Sequence, residues 1–181
     1  ISRDRRSYSF PIRKGVKFQD GSPLTAEDVR YSLLRFMLTD PPGGPAALLL
    51  EPVFGVVSTR SPAGDIVLSD EDIKKAVRVE GDKVVVTLKR PFAPFLSIMA
   101  RWSYVASKKW CASNGEWDGS LSTWRKFNAR PAHKSALFER MNGTGPFMLE
   151  RWDRTRKVVH LARFSGYWKK APHIAKAVLA T

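Results

Sequence analysis

The chain has 181 residues, 43% of them apolar and 27% charged, and a formal net charge of +14. That length suits one domain with a sizeable core, and the composition excludes a disordered or fibrous protein. No run approaches the ~18 consecutive apolar residues of a membrane-spanning helix, and a lone cysteine, Cys111, excludes an intramolecular disulfide.

Tyr8, Phe10 and Ile12 alternate with smaller residues, which predicts a half-buried strand over residues 8–12. Pro11 cannot donate to a ladder, so that strand belongs at an edge or has this position facing outward. Gly15 breaks it and residues 16–18 resume it. Asp20-Gly21 is a tight-turn pair. Thr25 then stands three residues before Asp28, the spacing of a capping box, with Glu27 and Asp28 placing negative charge in the first turn. The predicted helix runs to about Thr39, with Val29, Leu33 and Phe36 as one stripe and Tyr31, Leu34 and Leu38 as a second. A helix apolar on two sides is mostly buried. Asp40-Pro41-Pro42-Gly43-Gly44-Pro45 ends it.

Residues 46–50 read as one helical turn, and 53–59 as either a strand or a buried connector. Ser69 opens a very short helix through Lys75. Residues 76–80 and 83–88 flank Gly81-Asp82 as a β-hairpin, with Val84-Val85-Val86 in a central strand. A helix is expected from Pro91 to about Ala100, a brief strand over 104–106, and another helix from Ser107. The polar stretch 120–136 reads as irregular with some helix. Residues 147–153 and 157–163 form a second hairpin, and a last strand covers 174–179.

No catalytic constellation assembles, because no Ser, His or Asp stands in a nucleophile-elbow context. Three scattered histidines and one cysteine leave no Cys/His zinc spacing. Gly143-x-Gly145 is not a phosphate loop: no Lys-Ser/Thr follows, and a strand comes next. Its turn chemistry points to a sharp reversal into that strand. The positive charge is divided mainly among residues 1–20 (+4), 101–130 (+4) and 151–181 (+7). A nucleic-acid module more often concentrates basic residues on one arm or helix. In the last block Arg154, Arg156, Lys157 and Arg163 interleave with Val158 and Leu161, as on a solvated strand face.

Three segments carry a family resemblance. Residues 10–34 run strand, turn and capped helix around Asp20-Gly21 and Thr25-Ala26-Glu27-Asp28-Val29. Downstream come Gly143-Thr144-Gly145-Pro146-Phe147 with Leu149-Glu150-Arg151-Trp152, and then Arg163-Phe164 followed by Tyr167-Trp168. In this order they resemble the extracellular solute-binding proteins of the peptide/nickel/oligopeptide class (family 5), receptors that feed ABC importers. Pro91-Phe92-Ala93-Pro94-Phe95-Leu96 resembles a helix start of the same family. Members are far longer than 181 residues, so the resemblance implies a piece of a receptor.

What it implies is a mixed α/β fold, part of a class II periplasmic-binding-protein lobe. Residues 1–140 would be the smaller subdomain of the first lobe and 141–181 the strands returning to its main sheet, with the second lobe absent. The implied function is extracytoplasmic capture of a peptide or similar small solute for a membrane permease, in the periplasm or cell envelope, with a lipid anchor as one option. It implies no enzyme activity, no cofactor and no metal. Tyr31 would point toward the ligand, or simply pack with Leu34 and Leu38. Arg101, Trp102 and Ser103, expected in a loop, would contact ligand, or Arg101 would stack on Trp102 at the surface. Gly143 and Thr144 would lie near the cleft. Tyr31 and Arg101 would share one concave face, open to self-association. The alternative from another class is a basic nucleic-acid or polyanion-binding module, and a hydrolase ranks below both.

Overall fold

Three consecutive valines build the centre of the first sheet. Val84, Val85 and Val86 are buried in β3 (Lys83–Thr87), where β-branched side chains pack well on a pleated surface. The strand is flanked by β1 (Ser7–Pro11) and β2 (Val77–Glu80), both antiparallel to it, in the order β1-β3-β2. Gly81 turns the β2–β3 hairpin at φ 64°. Pro11 closes the edge strand β1 opposite Lys83 and is exposed, so its missing N–H costs no ladder bond. These elements belong to a computed structural model that describes residues 1–180. The last residue of the segment expected over 141–181 therefore lies outside the described residues.

Helix α1 (Ala26–Thr39) packs on this sheet. The Thr25 hydroxyl accepts from the Asp28 amide at 3.3 Å, while the Asp28 carboxylate accepts from the Thr25 amide at 2.9 Å and the Thr25 hydroxyl at 2.6 Å. Its other oxygen accepts from the Lys108 amide at 2.9 Å. One buried carboxylate thus caps α1 and holds the start of a distant helix. Tyr31, Leu34 and Leu38, the second stripe, are buried, whereas Val29 and Phe36 of the first are only half-buried. The helix ends at Asp40 in a left-handed conformation, φ 32°. The Asp40 carboxylate accepts from the Thr59 amide and hydroxyl, each at 2.8 Å.

Four shorter helices follow: α2 (Ala47–Phe54), α3 (Asp70–Ala76), α4 (Phe95–Trp102) and α5 (Lys108–Ser113). Ser69 and Ser107 cap α3 and α5. Helix α2 corrects the sequence reading at its C-terminal half, because Val53 and Phe54 are helical despite Pro52. Leu49, Leu50 and Val53 form one buried face, and burying that face outweighs the amide donor lost at proline. Neither short strand expected elsewhere forms. Residues 104–106 lie against α1 through the Ser32 hydroxyl, not through a neighbouring strand. Residues 16–18 make a single bridge, Lys17 to Pro23, and proline cannot extend it. Residues 120–138 are irregular with 3-10 turns at Trp124–Lys126, Ala132–Lys134 and Ala136–Phe138.

A second antiparallel sheet has the order β4-β5-β6, with β4 (Phe147–Asp153), β5 (Val158–Arg163) and β6 (Lys176–Ala180). Among the described residues after 146 only Phe164 is buried. The main core runs instead from Tyr8 to Trp124 and includes Tyr31, Phe95, Trp117 and Cys111.

A buried ion pair ties α1 to the irregular segment. The Glu116 carboxylate, 3% exposed, receives Arg35 Nη2 at 2.6 Å and the Ala136 amide at 2.7 Å. Burial pushes its pKa up, but the hydrogen bonds from Arg35 and Ala136 outweigh that and leave it below the usual glutamate value.

Thr25→Ala should cost about 1 kcal/mol in urea unfolding. Asp28→Ala should cost more, about 2–3 kcal/mol, because it also orphans the Lys108 amide; equal losses would contradict the double role of Asp28. Glu116 has a lower pKa folded than unfolded. Its stabilisation is therefore complete above the ordinary glutamate pKa of about 4.3 and fades as pH falls through the folded value. Glu116→Gln should flatten the acid limb of a stability-versus-pH curve below about pH 5, and an unchanged limb would contradict this assignment.

Candidate ligand-binding groove

Ser32, Arg35 and Phe36 are spaced three and four residues apart, so α1 presents them on one face. Opposite this face the chain leaves α4 at Ser103 and runs through Tyr104, Val105 and Ala106. Ser32 fixes that run: its hydroxyl donates to the Asp28 carbonyl at 2.7 Å and accepts from the Ala106 amide at 3.0 Å. Ser103 is fixed in turn by donating to the Met99 carbonyl at 2.5 Å. A third side comes from residues 141–145. Between these walls lies an open groove of about 580 Å³, within the range of small-molecule pockets.

The third wall is anchored to the Asp20-Gly21 turn across more than a hundred residues of sequence. The Asn142 amide nitrogen donates to the Asp20 carboxylate at 2.7 Å, and the Asn142 oxygen accepts from the Asp20 amide at 3.1 Å. Gln19 repeats the pattern on the next residue, its amide donating to the Gly143 carbonyl at 3.0 Å. Its side chain accepts from the Gly143 amide and donates to the Phe147 carbonyl at 2.7 Å. Partial burial would raise the Asp20 pKa, but hydrogen bonds from Ser22 and Asn142 bring it below the usual value. The segment bends over residues 144–146 as it enters β4, and neither Gly143 nor Gly145 has positive φ. A Cβ on Gly145 would meet no atom within 4 Å. Open space, not tight packing, surrounds this glycine.

Of the six residues singled out from sequence, Ser103, Gly143 and Thr144 line this groove together. Tyr31 does not. It is 1% exposed, stacks on Trp117 with centroids 5.5 Å apart, and donates its hydroxyl to the Trp117 carbonyl at 2.7 Å. Burial pushes its phenol pKa far up. The shared concave face expected for Tyr31 and Arg101 is therefore not formed, because the core encloses the Tyr31 ring and Trp117 takes its hydroxyl. Arg101 and Trp102 complete the last turn of α4 instead of standing in a loop. The Arg101 guanidinium lies 5.1 Å from the Trp102 ring and donates to the Tyr104 hydroxyl at 2.8 Å. Trp102 backs the groove indirectly, packing on Phe36 at 6.3 Å between centroids.

Sequence reasoning missed Arg35 and Phe36. The available signal was a charge set inside the apolar run Leu33-Leu34-Arg35-Phe36-Met37-Leu38, where a cation needs a partner. Beyond the Glu116 bond, Arg35 Nη2 also donates to the Ser135 hydroxyl at 3.2 Å, and Nε is buried without a partner among the described residues. Arg35 also lines a smaller cavity of about 250 Å³, with Phe127 and Arg130. Cys111 is buried, and burial raises its thiol pKa. No cluster of three or more His, Cys, Asp or Glu suited to a metal occurs among the described residues.

The dipeptide-binding protein DppE of Bacillus subtilis is 27% identical over 172 residues, which cover 94% of this chain and 27% of that protein. The dipeptide-binding protein of Escherichia coli is 26% identical over 187 residues, covering 99% of this chain and 30% of its own length. This chain thus spans between about a quarter and a third of these relatives. Among solved structures, OppA of Burkholderia pseudomallei superimposes with a TM-score of 0.64 at 21% identity, over 99% of this chain and 31% of that one. NikZ from Campylobacter jejuni in complex with Ni(L-His) gives 0.63 at 16% identity, over 99% and 28%. These likenesses establish the fold as a mixed α/β portion of a periplasmic-binding-protein lobe. The family model for the bacterial extracellular solute-binding proteins, family 5 Middle, matches residues 1–181, and the chain belongs to that family.

Proposed function

We propose that this chain forms one wall of a two-lobed receptor that captures a peptide or similar small solute outside the cytoplasm and delivers it to the permease of an ABC importer. The observation that carries the reading is the groove between α1, residues 103–106 and residues 141–145, in a chain of this family. Residues 1–140 act as the smaller subdomain, residues 141–181 as the return to the main sheet, and a second lobe closes over the groove. Ser103, Gly143 and Thr144 meet the solute directly, while Arg101 and Trp102 stand behind it. Dipeptides are the solutes named for two of the relatives, and they set the first probe. Capture of this kind couples ligand binding to closure of the lobes and needs no catalytic group or cofactor. The exposed Tyr104 and Met141 at the groove supply the apolar surface through which the isolated chain self-associates.

Nucleic acid is not a partner in this reading. Basic residues of the last block are in part paired, Arg154 with Glu139 and Lys176 with Glu150, rather than gathered on one arm. Duplex DNA at physiological salt should bind no more tightly than about micromolar, the range of nonspecific contacts. Nanomolar, sequence-selective binding in a gel shift would favour the polyanion-binding alternative.

Gly145 gives the sharper test of the receptor reading. Its φ is not positive and open space surrounds it, so Gly145→Leu fills the groove without straining the backbone. In the two-lobed protein, affinity for alanyl-phenylalanine should fall at least about tenfold, or 1.4 kcal/mol, with the melting temperature unchanged. Unaltered affinity would contradict the placement of the solute in this groove.

A further inference from the structure

We infer that Asn142-Gly143 is a deamidation site, held closed by the hydrogen bonds that Gln19 and Asp20 make with it. The chemistry belongs to the pair itself, since glycine has no Cβ to crowd the attacking nitrogen. The Gly143 amide nitrogen loses its proton and attacks Cγ of Asn142. The new N–C bond closes a five-membered succinimide, the Cγ–Nδ2 bond breaks, and ammonia leaves carrying a proton. Water then opens one imide bond and leaves aspartate or isoaspartate at position 142. One water is consumed and one ammonia released, with no oxidant or reductant. None of this depends on what the groove binds.

Every polar atom that reacts is occupied in the folded chain. The Gly143 N–H donates to the Gln19 side-chain oxygen at 3.3 Å, which covers the proton that must be lost. Nδ2 of Asn142 donates to the Asp20 carboxylate at 2.7 Å and Oδ1 accepts from the Asp20 amide at 3.1 Å. Turning Cγ onto the Gly143 nitrogen would break both. The leaving nitrogen also needs a proton, and the ionised Asp20 beside it has none to give. Asn142 is 4% exposed, so water has little access to the ring-opening step. A carboxylate made at position 142 would face Asp20 at the distance Nδ2 now occupies. Asp20 cannot turn aside freely, because its second oxygen accepts from the Ser22 amide and hydroxyl. Two carboxylates at that range repel and neither donates. One opening of the clasp is thereby converted into a lasting release of residues 141–145.

The test incubates the two-lobed protein at mildly alkaline pH and follows each asparagine by peptide mapping and mass spectrometry. Asn114-Gly115 is the other Asn-Gly pair of the chain and serves as the internal reference. Its side chain is held by the Trp110 carbonyl and Arg140, apart from the clasp. Asp20→Ala should raise deamidation at Asn142 at least about tenfold, the factor expected from one lost charge-assisted hydrogen bond. Gln19→Ala should raise it at least about threefold, as for a neutral one. Asn114 should keep its rate in both. Gly143→Ala adds a Cβ that meets nothing closer than 4.0 Å, at a residue without positive φ. Combined with Asp20→Ala, it should return the rate at Asn142 to the wild-type range. Asn142→Asp, which makes the product directly, should speed hydrogen exchange of the Gly143 amide at least about tenfold, as for one charge-assisted bond lost. An unchanged rate at Asn142 in both clasp variants would overturn the inference, as would an equal rise at Asn114, which assigns the effect to global unfolding. Fast deamidation that persists with Gly143→Ala would overturn the succinimide route, and unchanged exchange in Asn142→Asp would overturn the release of the wall.

Discussion

The groove depends on one long-range clasp. Asp20 and Asn142 exchange two hydrogen bonds, and Gln19 makes three more with Gly143 and Phe147. These bonds bring the turn before α1 and the segment before β4 together across 122 residues of sequence. The cost of loop closure grows only slowly with length, so a few partly buried hydrogen bonds are enough to hold it. Without the clasp, Gly143 and Thr144 would have no fixed position relative to α1, and the groove would lose a side. The same clasp explains why Asp20-Gly21 serves as more than a hairpin turn: the Asp20 amide and one carboxylate oxygen pair with Asn142, while the other oxygen accepts from Ser22.

The elements legible in the sequence are those whose causes are local. Thr25 and Asp28 announce the start of α1, and Asp40 with the prolines after it marks the end. The β2–β3 hairpin follows from Gly81-Asp82 and the valine run. Only the C-terminal half of α2 was missed, because burial of Leu49, Leu50 and Val53 carries the helix through Pro52 against proline's local tendency to end one. The strand expected at residues 104–106 does not form for a related reason. Its backbone is held by a serine hydroxyl on α1, and no sequence period reports such a partner.

The residues singled out from sequence divide on physical grounds. Ser103, Gly143 and Thr144 gather in one groove because each lies where an element ends or a segment bends, and such positions open toward solvent. Tyr31 sits in the middle of a doubly apolar helix, and the Trp117 carbonyl receives its hydroxyl within the core. A buried phenol with a satisfied hydroxyl has nothing left to offer a ligand. Arg35 is a different case. A cation amid apolar residues signalled a buried partner, but only the fold reveals that the partner is Glu116 and that Nε is left over.

The central claim is that the solute lies between the Ser32–Arg35–Phe36 face of α1 and the Gly143–Thr144–Gly145 segment. A crystal structure of the two-lobed protein with a bound dipeptide measures this directly. The account predicts dipeptide atoms within about 4 Å of both walls, the distance of direct contact. A dipeptide held wholly elsewhere, with the groove filled only by solvent, would contradict it.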